Sequence, residues 1–232
     1  MALNRLLSKT SGTEGSDPSV PSQVTMRFFK SCFGPSRDEV WTALRAQIGG
    51  EVVPRTTWRG EKLRAEIGEW TITLDEYTTM VMAGKVPIQI PHTRMRAPFP
   101  NPGGFRFSIH RASIFSYLGT LLGMQDIQIG HPEFDEAFVV KSNNEAAVRS
   151  LCNNDRLRSL VTAQPKFQLS IQDDEGWFGT EYPTGVDVLV FDVADRIREV
   201  DRLKALYDVF SESLNQLSEM GLAGSGTGGV TV

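Results

Sequence analysis

The sequence has little of the residue types on which several specialised classes of protein depend. Only two of its 232 residues are cysteine, Cys32 and Cys152, and only three are histidine. Two cysteines cannot build a disulfide scaffold, and no Cys-x-x-Cys or Cys/His cluster indicates zinc. No apolar run approaches the ~20 residues that cross a bilayer. We therefore predict reduced thiols, no cofactor, no transmembrane segment and a cytoplasmic location.

A basic excess and the common catalytic motifs are also missing. The chain has 24 Lys and Arg against 28 Asp and Glu, a net charge of −4, which argues against nucleic acid as a partner. It contains no phosphate-binding P-loop, no G-x-G-x-x-G before a helix and no G-x-S-x-G around a serine. These absences predict a protein that is not an enzyme.

The middle of the chain shows clear patterns of secondary structure. Period-two alternation in KLRAEIG and EWTITL, interrupted at Gly68, predicts an antiparallel hairpin. Apolar spacing predicts helices over residues 36–48 and 113–122, a short helix after Asn143 or Asn144, and a long helix over 195–220 capped by Asp192. FDEAFVVKS is predicted as one strand. The fold class is therefore α+β: a mainly antiparallel sheet backed by helices, with a long C-terminal helix.

Both ends of the chain are rich in glycine, serine and proline. Residues 10–23 read TSGTEGSDPSVPSQ, and the C-terminus reads GLAGSGTGGVTV. Such segments cannot bury enough apolar surface to offset the entropy of ordering the backbone. We predict a flexible N-terminal arm (1–24), a single α+β domain (25–220) and a flexible Gly-rich tail (221–232), with neighbouring proteins ordering the two ends.

Four arginines occur between His92 and Arg111 without an acidic residue among them: Arg94, Arg96, Arg106 and Arg111. Two strands joined at FPNPGG would set these guanidinium groups on one rim, which could bind phosphate, a lipid headgroup or an acidic protein surface. Alternating arginines also occur on solvated strand faces, where they guard against edge pairing.

The histidines offer two weak metal hypotheses. His131 is close in sequence to Glu133 and Asp135, and imidazole with carboxylates can bind a divalent metal. Pro132 and Asp135 equally suit a turn or a helix cap. His92 and His110 flank FPNPGG and could approach each other across a hairpin.

Two further groups of apolar residues are candidates for contact with other proteins. Trp177 and Phe178 follow the acidic run Asp173–Asp174–Glu175, and exposed aromatic residues are frequent contact anchors. Alternatively, they fold back over the end of the core. At the N-terminus, Leu3, Leu6 and Leu7 could form one face of a short amphipathic turn on a membrane or partner.

One stretch resembles a pattern in uncharacterised bacterial proteins of unknown function. The similarity covers about residues 93–217 and centres on G-x-x-E-F-D-x-x-F-x-V, which is Gly130 to Val140 here, followed by a polar turn and a helix. The resemblance implies core roles for Phe134 and Phe138 and supplies no catalytic residue. Some of those proteins are anchored in membranes by separate hydrophobic segments, which this sequence does not contain.

These observations favour a noncatalytic structural or accessory subunit that binds other proteins in a larger assembly, with a position on the cytoplasmic face of a membrane complex as the finer expectation. Two alternatives stay open. One is a metal-dependent enzyme or metal-binding protein that uses His131 and the neighbouring carboxylates. The other is a carrier with a small ligand or lipid between sheet and helix.

Overall fold

The structure is a computed structural model that describes residues 34–55, 60–112, 125–173 and 182–230. Backbone contacts divide the chain into two compact units, Met1–Ser36 and Arg37–Val232, and the account below concerns the second. Four predicted features lie outside the described residues: the N-terminal arm (1–24) with Leu3, Leu6 and Leu7, the helix over 113–122, and the aromatic pair Trp177 and Phe178.

Nine strands of the described chain form one sheet. They are β1 (Glu51–Val53), β2 (Lys62–Ile67), β3 (Trp70–Ala83), β4 (Val86–Pro100), β5 (Phe107–Arg111), β6 (Gln125–Asp126), β7 (Phe138–Ser142), β8 (Gln168–Gln172) and β9 (Val186–Val193). Their order across the sheet is β1-β2-β3-β4-β9-β8-β5-β7-β6, and every neighbouring pair is antiparallel.

Five helices accompany the sheet in the same residues. They are α1 (Arg37–Ile48), α2 (Pro132–Ala137), α3 (Glu145–Cys152), α4 (Asp155–Thr162) and α5 (Val200–Glu219). The predicted α+β class, with an antiparallel sheet and a long C-terminal helix, is confirmed. None of these helices is long and apolar enough to cross a membrane.

The core lies between one face of the sheet and the helices. Residues that pair directly in an antiparallel ladder share a face, so Met95 and Phe191, and Ala97 and Leu189, mark that face on β4 and β9. Phe210 of α5 is buried in the same apolar cluster. The alternate residues of these central strands form the second face.

The long helix begins later than its sequence predicts. It starts at Val200, with Glu199 at the N-cap position, and Asp192 lies inside β9. The predicted cap at Asp192 is therefore wrong. The reason is the Thr93 hydroxyl, which donates a hydrogen bond to the Asp195 carbonyl (2.8 Å) and accepts one from the Ile197 amide (3.1 Å). These bonds hold a non-helical connection between β9 and α5.

The segment FDEAFVVKS also differs from its prediction as one strand, because α2 occupies its first part and β7 its second. Pro132 stands in the first turn of α2, where its missing N–H costs nothing. The Asp135 carboxylate accepts hydrogen bonds from the amides of Ile129 (2.8 Å) and Gly130 (3.0 Å), which fixes the preceding turn. Asn144 caps α3 by accepting from the Ala147 amide at 3.0 Å, as one of the two predicted caps requires.

The first part of the Gly-rich tail, which the sequence predicts to be flexible, lies against the sheet. Ala223 is buried, and the Gly224 amide donates to the Pro100 carbonyl at 2.8 Å. The Trp70 indole N–H donates to the Gly224 carbonyl at 3.1 Å. A Cβ atom at Gly228 would clash with Val186, so the backbone approaches β9 closely there. These contacts come from the chain's own sheet and involve no other molecule.

Candidate functional site

The two longest strands extend past their neighbours. β3 has 14 residues and β4 has 15, but β2 pairs with β3 only as far as Asp75, and β9 pairs with β4 only as far as Thr93. Residues 76–92 are therefore a two-stranded hairpin beyond the described sheet, which we call the projecting hairpin. Eight residues of β-strand span about 25 Å.

The projecting hairpin carries exposed apolar side chains on both of its faces. Met80 and Met82 are each 63% exposed, Val86 is 63% and Ile88 is 45%. The register pairs Met80 with Gln89 on one face and Val81 with Ile88 on the other. Lys85, in the turn, is the one charged residue between positions 77 and 91. Contiguous exposed apolar surface of this kind marks interaction sites in soluble proteins.

A polar cluster on the second face joins the root of this hairpin to β9. His92 Nδ1 lies 2.7 Å from Asp192 Oδ1, and His92 Nε2 lies 2.9 Å from Thr79 Oγ1. The Tyr77 hydroxyl donates to Asp192 Oδ2 at 2.6 Å, and its ring stacks on the His92 imidazole at a centroid distance of 4.6 Å. Burial, together with the Asp192 charge and hydrogen bond, raises the pKa of Tyr77 above its usual range, so the phenol stays a donor.

The Asp192–His92–Thr79 chain has the order of groups found in hydrolase triads. In this molecule, however, Asp192 also accepts the Tyr77 hydroxyl, and all four side chains connect β3 and β4 with β9. We interpret the cluster as a lock that holds the hairpin root to the sheet.

A second cluster lies beside the first on the same face. Arg94 donates two hydrogen bonds to the Asp75 carboxylate, from Nε to Oδ1 at 3.0 Å and from Nη2 to Oδ2 at 2.9 Å. Arg96, only 3% exposed, donates to Asp75 Oδ2 at 2.7 Å. Burial alone would raise the pKa of Asp75, but the Arg94 hydrogen bond and the charges of Arg96 and Arg94 outweigh it and lower that pKa. The guanidinium of Arg94 also lies over the Tyr77 ring, which links the two clusters.

The four arginines do not form the predicted rim. β4 and β5 are not neighbours, because β9 and β8 lie between them, and three strand spacings amount to about 14 Å. Arg94 and Arg96 bind Asp75. Arg106 lies 2.6 Å from Asp173, and Arg111 donates to the carbonyls of Gln164 and Thr162 on the core side of the sheet. Contact of these arginines with anions or other proteins stays a prediction.

The predicted metal sites receive no cluster of ligands. Within residues 34–55, 60–112, 125–173 and 182–230, no group of three or more His, Cys, Asp and Glu side chains could hold a metal ion. Asp135 is engaged by two backbone amides, and His131 precedes α2 without a side-chain capping bond. The expected approach of His92 and His110 is wrong for the same reason as the rim, since β9 and β8 separate their strands.

The projecting hairpin was not among the candidate sites that the sequence offered. Pro87 and Pro91 predicted an edge or irregular strand there, which hides the hairpin's length. The available signal was the run MVMAGKVPIQI, which places apolar residues at both parities with a single charge. A strand with one wet face would alternate instead.

Comparison with known proteins adds a fold likeness and no family. No family model matches the chain, and no curated protein matches it. Among solved structures, it is similar to the crystal structure of the mycobacterial trehalose monomycolate transport factor A, TtfA, at 11% identity and a TM-score of 0.40. The match covers 76% of this chain and 92% of that chain. A likeness of this size carries no argument about function.

Proposed function

We propose that the protein is a noncatalytic accessory protein that binds other proteins, with the projecting hairpin as its binding surface. The observation that carries this proposal is the exposure of Met80, Met82, Val86 and Ile88 at the end of two strands that outrun the sheet. Each square ångström of apolar surface removed from water contributes about 25 cal/mol. A partner that covers the hairpin therefore gains from surface that the chain itself leaves wet.

A protein fits this surface better than the interior of a membrane. Lys85 stands at the tip, and a lysine at the centre of a bilayer costs about 2.5–3.5 kcal/mol on insertion scales. The two open edges of the hairpin would also carry unpaired backbone groups into hydrocarbon, at several kcal/mol each. A membrane complex stays within the proposal as a partner, since the hairpin would contact its protein part.

The polar clusters at the root support the same function. Asp192 binds one side chain from each strand of the hairpin, and Asp75 holds two arginines of β4. A hairpin held this way has its direction set before it meets a partner, which lowers the entropy that binding must overcome. Two-stranded hairpins without such support are marginally stable in water.

The test is native purification from the source cell under gentle lysis, comparing the parent with Met82→Asp. Gln128→Asp is the matched control, because it adds one carboxylate at an exposed site far along the chain from the hairpin. We expect the parent and the control to elute with at least one different chain, and Met82→Asp to lose about nine-tenths of it, a tenfold change in affinity. A parent with no other chain, or a Met82→Asp variant that keeps its partners, would overturn the proposal.

A further inference from the structure

The two edges of the projecting hairpin differ chemically. On β4, Pro87 and Pro91 have no backbone N–H, and proline on an edge strand blocks the addition of another strand. On β3, no proline occurs in the projecting part, and β2 stops pairing at Asp75. In the described chain, the β3 edge is thus open from Glu76 to the turn at Gly84, with a complete set of donors and acceptors.

We propose that a second copy of the chain occupies this edge. The β3 strands of the two copies pair antiparallel about a twofold axis and make a four-stranded ribbon from two projecting hairpins. The inference rests on the proposed function, because it takes the hairpin to be a binding surface, and it names the first partner. An antiparallel strand is self-complementary about a twofold axis, so each copy supplies a strand of the required length and direction.

The length of the open edge places the axis at Met80. This residue lies midway between Glu76, where the edge opens, and Gly84, where it turns. In that register Met80 faces Met80 of the second copy, and Thr78 faces Met82. Residues two apart on a strand share a face, so the methionines of both copies meet on one face of the ribbon. Methionine side chains adapt readily to such mutual packing.

The charges agree with the same register. Lys85 would lie at the level of Asp75 of the second copy, beside its Glu76, and both of these are acidic. Within each chain Glu76 binds Arg198, with Arg198 Nη2 to Glu76 Oε2 at 3.2 Å, and Asp75 binds Arg94 and Arg96. Lys85 therefore approaches ordered acidic groups and no lysine of the other copy. The faces of the ribbon keep Val86 and Ile88 accessible to other proteins.

The first test is cysteine cross-linking at the proposed axis. Directly opposite residues in an antiparallel pair have Cα atoms about 4.5–5.5 Å apart, within the range that a disulfide spans. Met80→Cys should therefore give a covalent dimer on mild oxidation. Gln89→Cys is the control, because Gln89 pairs with Met80 from the β4 side, is exposed and lies on the same face. We expect neither that control nor the parent, with Cys32 and Cys152, to cross-link.

The second test is sedimentation equilibrium of the parent, Met80→Lys and Gln89→Lys. Two lysines facing each other at the axis should weaken the dimer by about tenfold or more, and Gln89→Lys should leave it unchanged. A parent that stays monomeric up to its solubility limit overturns the inference, as does a dimer that cross-links through Gln89→Cys, or through neither site. A monomer whose Met82→Asp variant still loses partner chains leaves the proposed function standing. A Met80-linked dimer without other partners does the reverse.

Discussion

The Tyr77 hydroxyl donates a 2.6 Å hydrogen bond to the carboxylate of Asp192, which follows it 115 positions later in the chain. The other oxygen of that carboxylate lies 2.7 Å from His92 Nδ1. One aspartate on β9 thus holds both strands of the projecting hairpin where they leave the sheet. The direction of the hairpin depends on this carboxylate.

Tyr77→Phe should loosen the hairpin root, because it removes the hydroxyl and keeps the ring that stacks on His92. A hydrogen bond to a charged group contributes about 1.5–3 kcal/mol, so we expect a loss of about 2 kcal/mol in the free energy of unfolding. Urea denaturation measures it, and the amides of residues 78–91 should exchange faster. A double-mutant cycle with Asp192→Asn isolates the pair. A coupling energy of zero would contradict this account.

Asp75→Asn should destabilise the fold strongly, because both Arg94 and the buried Arg96 bind this carboxylate. Removing one partner of a buried ion pair costs about 3–5 kcal/mol. Asp38→Asn is the control, since Asp38 pairs with Arg37 at a side chain that is 78% exposed, and exposed pairs contribute about 0–1 kcal/mol. Equal effects of the two substitutions in chemical denaturation would refute the importance of the buried cluster.

The contribution of Asp75 should also depend on pH. Its folded-state pKa is lowered from the usual 3.8, so the unfolded chain takes up the proton first as the pH falls. The stabilisation is complete above about pH 5 and declines as the pH falls through 3.8 towards the lower folded-state pKa. The stability gap between the parent and Asp75→Asn should therefore narrow in acid. A gap that stays constant from neutral to acid pH would show that the charge is not its source.

Truncation after Gly221 should destabilise the domain, although the removed residues are mostly glycine, serine and threonine. It removes the burial of Ala223 and the two hydrogen bonds that Gly224 makes with Pro100 and Trp70. We expect a loss of about 2 kcal/mol from two neutral bonds, measured by thermal melting. Trp70→Phe removes only the indole bond and should cost about half as much. Unchanged melting of the truncated chain would mean that these contacts add nothing.

Cys152 should be inert towards thiol reagents in the folded protein. It is buried in α3, and this burial raises the pKa of its thiol to about 12. Because the thiolate is the reactive form, iodoacetamide should label Cys152 only after denaturant unfolds the chain. Peptide mass spectrometry with and without denaturant measures this. Rapid labelling in native buffer would place the thiol in a more open setting than the structure shows.

Local patterns were sufficient for the elements whose partners are close in sequence. The apolar stripe of residues 36–48 corresponds to α1, and the alternation on either side of Gly68 corresponds to the β2–β3 hairpin. The Asn144 cap followed from residue type and position alone. In each case the stabilising contacts lie within a few residues or across one tight turn, so the periodicity of the side chains reports them directly.

The candidate site needed information that local patterns do not hold. FPNPGG suggested that β4 and β5 pair, yet β8 and β9, from much later in the chain, lie between them. Asp192 carries the composition of a helix cap and serves as the anchor of the hairpin root. Even the projecting hairpin is defined by where β2 and β9 end beside it, which no property of residues 76–92 expresses.

Composition and periodicity thus settled the fold class, the antiparallel sheet and the long helix, because these follow from which face of each segment is apolar. The order of the strands, the engagement of the arginines by Asp75, Asp173 and backbone carbonyls, and the length of exposed hairpin came from pairings between distant segments. Such pairings reflect a competition among all strands for neighbours, and a local pattern is compatible with many outcomes of it.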